Sequence, residues 1–207
     1  FYTQSNLKGL LEQENFEHFN FDYYSSNYRD RLSGQNFREL ATRAYQECMN
    51  FIHNFDTEHG NLLLFGNTGI GKTFLSHCIA KEVMDSLHSV LYLTASEFFD
   101  ALLEKALNRN DESCLLYEQI HLCDLLIIDD LGTERNTDFV VSQLFVCLND
   151  RILNRKSTII STNLTLEEIK TNYTERTFSR ISNHYKILRL AGDDIRIQKK
   201  LMYREEH

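Results

Sequence analysis

One run of eight residues has the composition and spacing of a phosphate-binding loop. It is Gly66-Asn67-Thr68-Gly69-Ile70-Gly71-Lys72-Thr73, which fits the pattern G-x-x-x-x-G-K-[ST] at every position. In such a loop, glycines let consecutive backbone N–H groups curve around a phosphate chain at the N-terminus of a helix. Lys72 is expected to reach the β- and γ-phosphates, and the hydroxyl of Thr73 to hold Mg²⁺. The run therefore predicts a site for a nucleoside triphosphate.

The residues on either side of the loop match the strand and the helix that such a loop joins. Residues 61–65 are an asparagine followed by four apolar residues, which predicts a short buried strand. After the loop, apolar side chains recur at helical spacing from Phe74 to Val83, and Phe74 is a further candidate contact with the nucleotide. Strand, glycine-rich turn and helix in this order favour a nucleotide site over a chance match to the pattern.

A second run ends in two carboxylates. Residues 125–128 are wholly apolar and are followed by Asp129 and Asp130. An apolar strand of this kind is typical of a parallel sheet covered on both faces, where ligands bind at the carboxyl ends of the strands. Asp129 is expected to hold Mg²⁺ through water, and Asp130 to polarise the attacking water. The alternative is a pair of surface aspartates that open a loop.

Three further polar residues are candidates for contact with the γ-phosphate. Asn163 ends the predicted strand 157–163, although on its own an asparagine at a strand end indicates turn chemistry. Arg180 is a candidate for a finger into a neighbouring subunit's site, and Arg196 for a contact within its own chain. From spacing alone, a solvated helix face is the better interpretation of both arginines.

The elements that must position these residues alternate along the chain. Strands are predicted at 61–65, 89–94, 125–128, 157–163 and 185–190. Helices are predicted at 36–55, 74–83, 95–107, 137–153, 165–170, 175–182 and 194–203. A further short helix is predicted between a polar break at 108–113 and about residue 121. This alternation predicts a parallel sheet covered by helices on both faces. Residues 1–33 are predicted to be a mostly irregular lead-in, whose aromatic residues either pack on the domain or wall an adenine ring (Phe16, Phe19, Phe21, Tyr23).

Composition limits the classes of function. The 207 residues suit one domain, and a formal charge of -8 argues against a general polyanion binder, though not against a local basic channel. No apolar run approaches the roughly 20 residues of a membrane span. The five cysteines form no C-x-x-C pair, which predicts buried free thiols, notably Cys78 and Cys147, and a reducing cytoplasmic location. Because the chain begins with Phe1, we expect a natural N-terminal portion to be missing.

The motifs and their order resemble the AAA+ ATPase domain of bacterial replicative helicase loaders of the DnaC/DnaI type. The motifs are G-N-T-G-I-G-K-T, L-L-I-I-D-D-L-G-T-E, I-I-S-T-N-L, R-T-F-S-R-I and G-D-D-I-R, and the similarity extends from about residue 36 to residue 200. The resemblance implies an α/β P-loop NTPase fold with a parallel five-stranded sheet sandwiched by helices. It assigns Asn163 as sensor 1, Arg180 as the inter-subunit arginine finger and Arg196 as sensor 2.

The resemblance also implies an activity and partners. These are Mg²⁺-dependent hydrolysis of ATP to ADP, self-association through Arg180, and delivery of a hexameric DnaB-type helicase to single-stranded DNA near an initiator protein. The chain departs from the pattern in three places. Asp130 stands where most AAA+ proteins have Glu, which is expected to slow hydrolysis. We expect the helicase-binding module to be missing ahead of the domain, with residues 1–35 as its linker remnant and residues 36–207 as the ATPase domain. The C-terminal lid is reduced to little more than one helix.

In the initiator and loader branch of this family, a helical segment after the second strand lines a DNA channel. The corresponding residues here are about 96–121, with Lys105 and Arg109 as cations. The loop after the acidic strand adds Arg135 and an aromatic residue, Phe139, that is a candidate for stacking on a base. The alternative is a solvated charged helix with Phe139 in the core. With so few cations, DNA binding is expected to be weak and sensitive to salt.

Two rival functions remain beside the helicase loader. One is a transposition helper ATPase of the IstB type, whose domain looks very similar; D-D-L-G-T-E and G-D-D-I-R favour the loader. The other is a nucleotide-dependent binding module with little turnover, for which Asp130 is the argument.

Overall fold

The structure is a computed structural model that describes residues 4–107 and 111–205. Its strands are β1 (Leu62–Phe65), β2 (Val90–Thr94), β3 (Leu125–Leu131), β4 (Ser157–Thr162) and β5 (Lys186–Arg189). Its helices are α1 (Gln4–Gln13), α2 (Phe37–His53), α3 (Phe55–Glu58), α4 (Lys72–Asp85), α5 (Ala95–Ala106), α6 (Asp111–Leu122), α7 (Asp138–Leu153), α8 (Leu166–His184) and α9 (Ile195–Glu205), with 3₁₀ turns at Phe16–His18 and Phe21–Tyr23.

The five strands form one parallel sheet in the order β2-β3-β4-β1-β5. This confirms the predicted parallel five-stranded sheet. The order places β4 between β1 and β3. The loop that follows β1 and the acidic end of β3 therefore flank the end of β4 at the same edge of the sheet, where open α/β folds bind ligands.

Helices cover both faces of the sheet, as predicted. Side chains from α1 to α4 pack on one face and side chains from α5 to α8 on the other. Alternate residues of β1 pack into the hydrophobic cores on the two faces of the sheet. Leu63 packs on the α5–α8 side, and Leu62 and Leu64 pack on the α1–α4 side. Because neither face meets water, all four residues of β1 are buried and apolar.

Three helices begin at the predicted places because their sequences carry capping boxes. The side chain of Asn36 accepts a hydrogen bond from the backbone N–H of Glu39, and the carboxylate of Glu39 accepts one from the backbone N–H of Asn36. Thr94 caps α5 and Thr165 caps α8 in the same way. Each box satisfies backbone donors that a helix start leaves without partners.

The prediction of a mostly irregular lead-in is wrong for residues 4–13 and holds for most of residues 14–33. Residues Gln4–Gln13 form α1, and Asn15 follows it by donating a hydrogen bond to the main-chain oxygen of Glu12 at 2.9 Å. Phe16 and Phe19 lie 5.1 Å and 5.3 Å from the ring of Tyr45 on α2, measured between centroids. Packing against a distant part of the chain therefore orders a segment whose own periodicity is weak.

One predicted boundary changes. β3 continues through both aspartates to Leu131, because Asp129 pairs with Thr94 of β2 and Leu131 pairs with Thr162 of β4 after a shift of register. The two helices predicted at 165–170 and 175–182 are confirmed as the two pieces of α8, which are separated by the non-helical residues Tyr173 and Thr174.

The five cysteines are free thiols, and Cys78 and Cys147 are buried as predicted. In the described part of the chain, no helix combines the length and the apolar character that a membrane crossing needs.

Candidate nucleotide-binding site

The loop between β1 and α4 has the backbone that its glycines predict. Gly66, Gly69 and Gly71 have φ angles of 145°, 78° and 95°, in the region that L side chains rarely adopt. Close packing adds to this demand at Gly66, where a Cβ atom would lie 2.1 Å from the main-chain oxygen of Leu190. Gly71 caps α4, so the loop leads directly into the positive end of a helix.

Lys72 is a buried cation held by oxygen atoms at the carboxyl edge of the sheet. Its Nζ donates hydrogen bonds to the main-chain oxygens of Gly66 at 2.9 Å and Asn67 at 2.7 Å, and to Oδ1 of Asn163 at 2.7 Å. Burial lowers the pKa of Lys72, and the charges of Asp130 and Asp129 partly oppose that shift. The structure thus brings together the lysine of the loop and the asparagine predicted as sensor 1, which are 91 residues apart.

Thr73 and Asp129 meet as the two predicted metal ligands. The hydroxyl of Thr73 donates to the carboxylate of Asp129, with oxygen–oxygen distances of 3.0 Å and 3.2 Å. Asp129 also accepts a short hydrogen bond from the hydroxyl of Ser161. A hydroxyl and a carboxylate are hard oxygen ligands that suit Mg²⁺, which usually completes its octahedron with waters and substrate phosphates. The residues present therefore fit the ion.

Asp130 has an unusual backbone that points its side chain into the same space. Its φ is 57°, and its N–H donates to the hydroxyl of Ser161 at 3.0 Å. A non-glycine residue in this conformation costs about 1–3 kcal/mol and is most frequent at functional sites. Burial and the neighbouring charge of Asp129 raise the pKa of Asp130, which is the direction expected for a general base.

A cavity of about 330 Å³ lies over these residues. That volume is in the range of small-molecule sites. The cavity is lined by residues of the phosphate loop, the start of α4 and the strand ends, namely Thr68, Gly69, Gly71, Lys72, Thr73, Phe74, Asp130 and Asn163. Residues of the lead-in and of α9 line the rest: Glu14, His18, Phe19, Asn20, Tyr23, Tyr24, Ile195, Arg196 and Lys199.

The lead-in aromatics pack on the domain, which is the first of the two predicted alternatives. Phe19 and Tyr23 pack against the core on the α1–α4 side and also line the cavity, so their contact with an adenine ring stays a prediction. Phe16 packs there as well, and Phe21 lies against the rings of Phe19 and Tyr45.

Tyr24 was missed at the sequence level. It is 2 % exposed, and its hydroxyl donates to the main-chain oxygen of Ile70 in the phosphate loop at 2.9 Å. The aromatic character of the lead-in was the available signal, but its spacing does not single out this residue.

Arg196 lies at the mouth of the cavity on α9. The N-terminus of α9 rests on the phosphate loop, since the N–H of Ile195 donates to the oxygen of Gly69 at 2.9 Å. The guanidinium of Arg196 donates to both oxygens of Asp194, at 3.1 Å and 2.7 Å, and holds the pKa of that carboxyl at about 2. The structure therefore brings the predicted sensor 2 to the same cavity as Lys72 and Asp130.

Arg180 does not belong to this cavity. It lies on the exposed side of α8, after the break in that helix. Within residues 4–107 and 111–205, its side chain takes part in none of the hydrogen bonds or ion pairs. The side chain of Arg180 is therefore not placed to contact a nucleotide in the cavity of its own chain.

The four residues predicted to touch DNA differ in their surroundings. The Nζ of Lys105 lies 3.2 Å from the sulfur of Cys114 and 5.8 Å from the centre of the Tyr117 ring, so α6 engages it. Arg135 is exposed. Phe139 packs partly buried against the core on the α5–α8 side, which favours the packing alternative over base stacking. Arg109 lies outside the described residues.

A comparison with protein-family models finds one match that covers residues 3–202, described as IstB-like ATP binding protein. The chain belongs to this family. A curated relative, the replicative helicase loader DnaC of Escherichia coli K12, is 23% identical over 180 residues, which are 87% of this chain and 67% of DnaC. The chromosomal replication initiator protein DnaA of Treponema pallidum, strain Nichols, is 27% identical over 164 residues, which are 79% of this chain but only 33% of DnaA.

Solved structures agree on the fold. A replication initiator DnaA bound to AMPPCP and single-stranded DNA superposes with a TM-score of 0.65 at 19% identity, covering 84% of this chain and 51% of that one. The fold is therefore that of AAA+ P-loop NTPases. The chain spans about a third of the length of the DnaA relative and about two thirds of DnaC.

Proposed function

We propose that this protein binds and hydrolyses ATP in order to load a replicative helicase onto single-stranded DNA. The observation that carries the ATPase part is the convergence of Lys72, Thr73, Asp129, Asp130 and Asn163 at one sheet edge beneath a cavity. The loader part is supported by the order of the five motifs and by a similarity to DnaC that covers 87% of this chain.

In the proposed site, the loop N–H groups and Lys72 bind the phosphate chain, with Phe74 beside them. Thr73 and Asp129 hold Mg²⁺, which neutralises charge on the phosphates when it is bound. Asp130, whose pKa is raised by burial, accepts a proton from the attacking water. Asn163 and Arg196 contact the γ-phosphate. Asn163 now bonds to the ammonium of Lys72, and Arg196 to the carboxylate of Asp194. A phosphate can replace either contact.

Arg180 is proposed to act on the neighbouring subunit. It is exposed and does not line its own cavity, and an arginine supplied in trans stabilises the charge of a transferred phosphoryl group. The site is therefore complete only in an assembly.

The proposed partners are a DnaB-type helicase, single-stranded DNA and an initiator protein, and the proposed place of action is the cytoplasm. Residues 1–35, part of which packs on the ATPase domain and lines its cavity, are proposed to follow a helicase-binding module. Arg135, Lys105 and Arg109 are the proposed DNA contacts.

The first experiment measures ATP hydrolysis with and without single-stranded DNA, together with the mass of the protein in solution with ATP. We expect DNA and assembly to stimulate turnover, and Arg180→Ala to abolish turnover in the assembly while ATP affinity is unchanged. Full activity of a monomer carrying Arg180→Ala would exclude the finger. Tight ATP binding by a monomer with no turnover in either condition would favour the nucleotide-dependent binding module.

An IstB-type transposition helper is the second candidate function, because the matching family model carries that description. The two functions differ in their partner. ATP-dependent assembly on single-stranded DNA but not on duplex DNA supports the loader, whereas ATP-dependent assembly on duplex DNA supports the transposition helper.

A further inference from the structure

A chain of contacts joins the acidic end of β3 to the middle of α8. The main-chain oxygen of Asp130 accepts a hydrogen bond from the hydroxyl of Thr133 at 2.9 Å. In the same turn, Oε2 of Glu134 accepts from the N–H of Gly132 at 2.9 Å, and Oε1 of Glu134 accepts a short hydrogen bond from the hydroxyl of Tyr173. Asn136 adds a second link by donating to the oxygen of Asn172 at 3.0 Å. The turn that carries Asp130 is thus tied to α8.

The place where this turn meets α8 is a break between two helical pieces. Thr174 has φ 72° and ψ 158°, a conformation that is essentially restricted to glycine. Tyr173, immediately before it, is 1 % exposed and packs in the core. Strain at a threonine costs about 1–3 kcal/mol, so the surrounding contacts must hold the break in place.

A buried threonine just after the break lacks a hydrogen bond that a straight helix could supply. The hydroxyl of Thr177 is buried and has no hydrogen-bond partner among the described residues. In a regular helix a threonine hydroxyl can donate to the carbonyl four residues earlier, which here is that of Tyr173 at the break. A straighter α8 would relieve the strain at Thr174 and give the hydroxyl of Thr177 an acceptor, so contacts elsewhere must hold the bend in place.

The second piece of α8 carries the exposed Arg180. Any change in the angle at Thr174 therefore moves Arg180 as part of a rigid helical piece, seated on its buried neighbours Thr177 and Ile181. The bond between Glu134 and Tyr173 joins the turn at Asp130 to the residue immediately before the break.

We propose that Glu134 and Tyr173 are positioning residues that couple one subunit's ATP site to the arginine, Arg180, which that subunit offers to its neighbour. The inference rests on the proposed function, since it requires Arg180 to act in trans. It adds a direction of signalling: the state of Asp130 and its turn in one subunit sets the turnover of the next subunit.

The test uses mixed assemblies in which each variant supplies only one of the two parts that turnover requires, either an intact ATP site or the arginine finger. Asp130→Asn subunits bind ATP without hydrolysing it and still offer Arg180, while Arg180→Ala subunits have an intact site and offer no finger. Turnover in the mixture then comes only from Arg180→Ala sites that face an Asp130→Asn subunit. Tyr173→Phe is added first to the Asp130→Asn subunit and then, in a separate mixture, to the Arg180→Ala subunit.

We expect Tyr173→Phe to lower kcat roughly tenfold in the finger-donating subunit, because a finger displaced by even 1 Å loses much of its effect. We expect no change in kcat when it is placed in the site-owning subunit, and no change in KM for ATP in either. Glu134→Ala should reproduce this pattern, and the two changes together should cost no more than one, since they break the same bond.

Tyr185→Phe is the matched control, since it removes a hydroxyl from the same core without touching Glu134. Thermal unfolding and ATP affinity of each variant show that it is folded. Equal losses in both arms, or a loss in neither, would overturn the coupling while leaving the finger intact. A parent mixture that recovers no turnover would instead overturn the role of Arg180, and the coupling with it.

Discussion

Two cations are buried at opposite ends of the same sheet, and they are held in different ways. Lys72 is 5 % exposed at the carboxyl end, and Arg151 is 0 % exposed near the amino ends of β3 and β4. Neither forms an ion pair with a carboxylate in the described part of the chain. Both donate mainly to main-chain oxygens, as buried charges must when no counter-ion is present.

The acceptors around Arg151 are all fixed parts of the fold. Its guanidinium donates to the main-chain oxygens of Ile120 at 2.7 Å, Cys123 at 3.2 Å and Ser157 at 2.6 Å, and to the hydroxyl of Thr158 at 3.0 Å. These groups belong to α6, to the turn before β3 and to β4. Arg151 therefore joins three elements and has no donor to offer a ligand.

One acceptor of Lys72 can be exchanged. Asn163 is exposed and lines the cavity, so a phosphate oxygen can take the place of its Oδ1 without leaving a buried group unpaired. Burial of a cation therefore does not distinguish a structural role from a binding role. What distinguishes them is whether an acceptor borders an open space.

The largest effect is expected from Lys72→Ala. ATP affinity should fall by roughly 100-fold or more, because charge-assisted hydrogen bonds to phosphate are lost. The unliganded protein should change little in stability, because removal of a desolvated ammonium offsets the loss of a donor to the oxygens of Gly66 and Asn67. Titration calorimetry and thermal unfolding measure the two quantities. Lys81→Ala, on the same helix but partly exposed, is the control, and unchanged ATP affinity in Lys72→Ala would refute the phosphate-loop assignment.

Arg151→Met should lower the stability of the protein and leave its ATP affinity unchanged. It leaves the oxygens of Ile120, Cys123 and Ser157 without a donor, and each buried unsatisfied group costs about 1–3 kcal/mol. We expect the free energy of unfolding in urea to fall by about 3 kcal/mol or more, with unchanged ATP affinity in the folded fraction. Arg155→Met, exposed just after the same helix, is the control. A fall in ATP affinity without a loss of stability would erase the contrast between the two cations.

The two ends of the sheet also differ in how far they could be predicted from sequence. The carboxyl end was predictable because its residues follow one another closely, within residues 66–73 and 125–130. The buried role of Arg151 was not, because it depends on α6, β3 and β4 meeting around a residue that looks like any charged position in α7. The same holds for Tyr24, whose bond to Ile70 spans 46 residues, and for the contact between Glu134 and Tyr173. Sequence reveals sites made of local motifs and hides those made by packing.

Ser161→Ala compares the carboxyl and amino ends of a single strand, β4. Ser161 donates to Asp129 and accepts from the N–H of Asp130, so it orients both carboxylates of the site. Loss of such a supporting hydrogen bond typically costs about 10–100-fold in metal affinity or activity, and we expect roughly a tenfold fall in kcat. Mg²⁺ titrations of ATP turnover measure it. Ser157→Ala, buried at the other end of β4, should leave turnover unchanged, and equal losses in the two variants would mean that both ends of the strand act only through stability.

The smallest effect is a pH dependence that is specific to Lys72. Burial lowers its pKa in the folded protein, so between that value and the ordinary lysine value of about 10.4 the unfolded chain binds more protons than the folded one. Stability of the unliganded protein should therefore rise with pH through this window.

ATP affinity should fall through the same window, because phosphate prefers the charged amine. Opposite slopes for stability and affinity, both absent in Lys72→Ala, would establish that one group causes them. Parallel slopes, or slopes that persist in Lys72→Ala, would place the titration elsewhere. Opposite slopes are the expected result for a cation whose burial costs the empty protein stability and whose charge is needed only when a phosphate replaces Asn163.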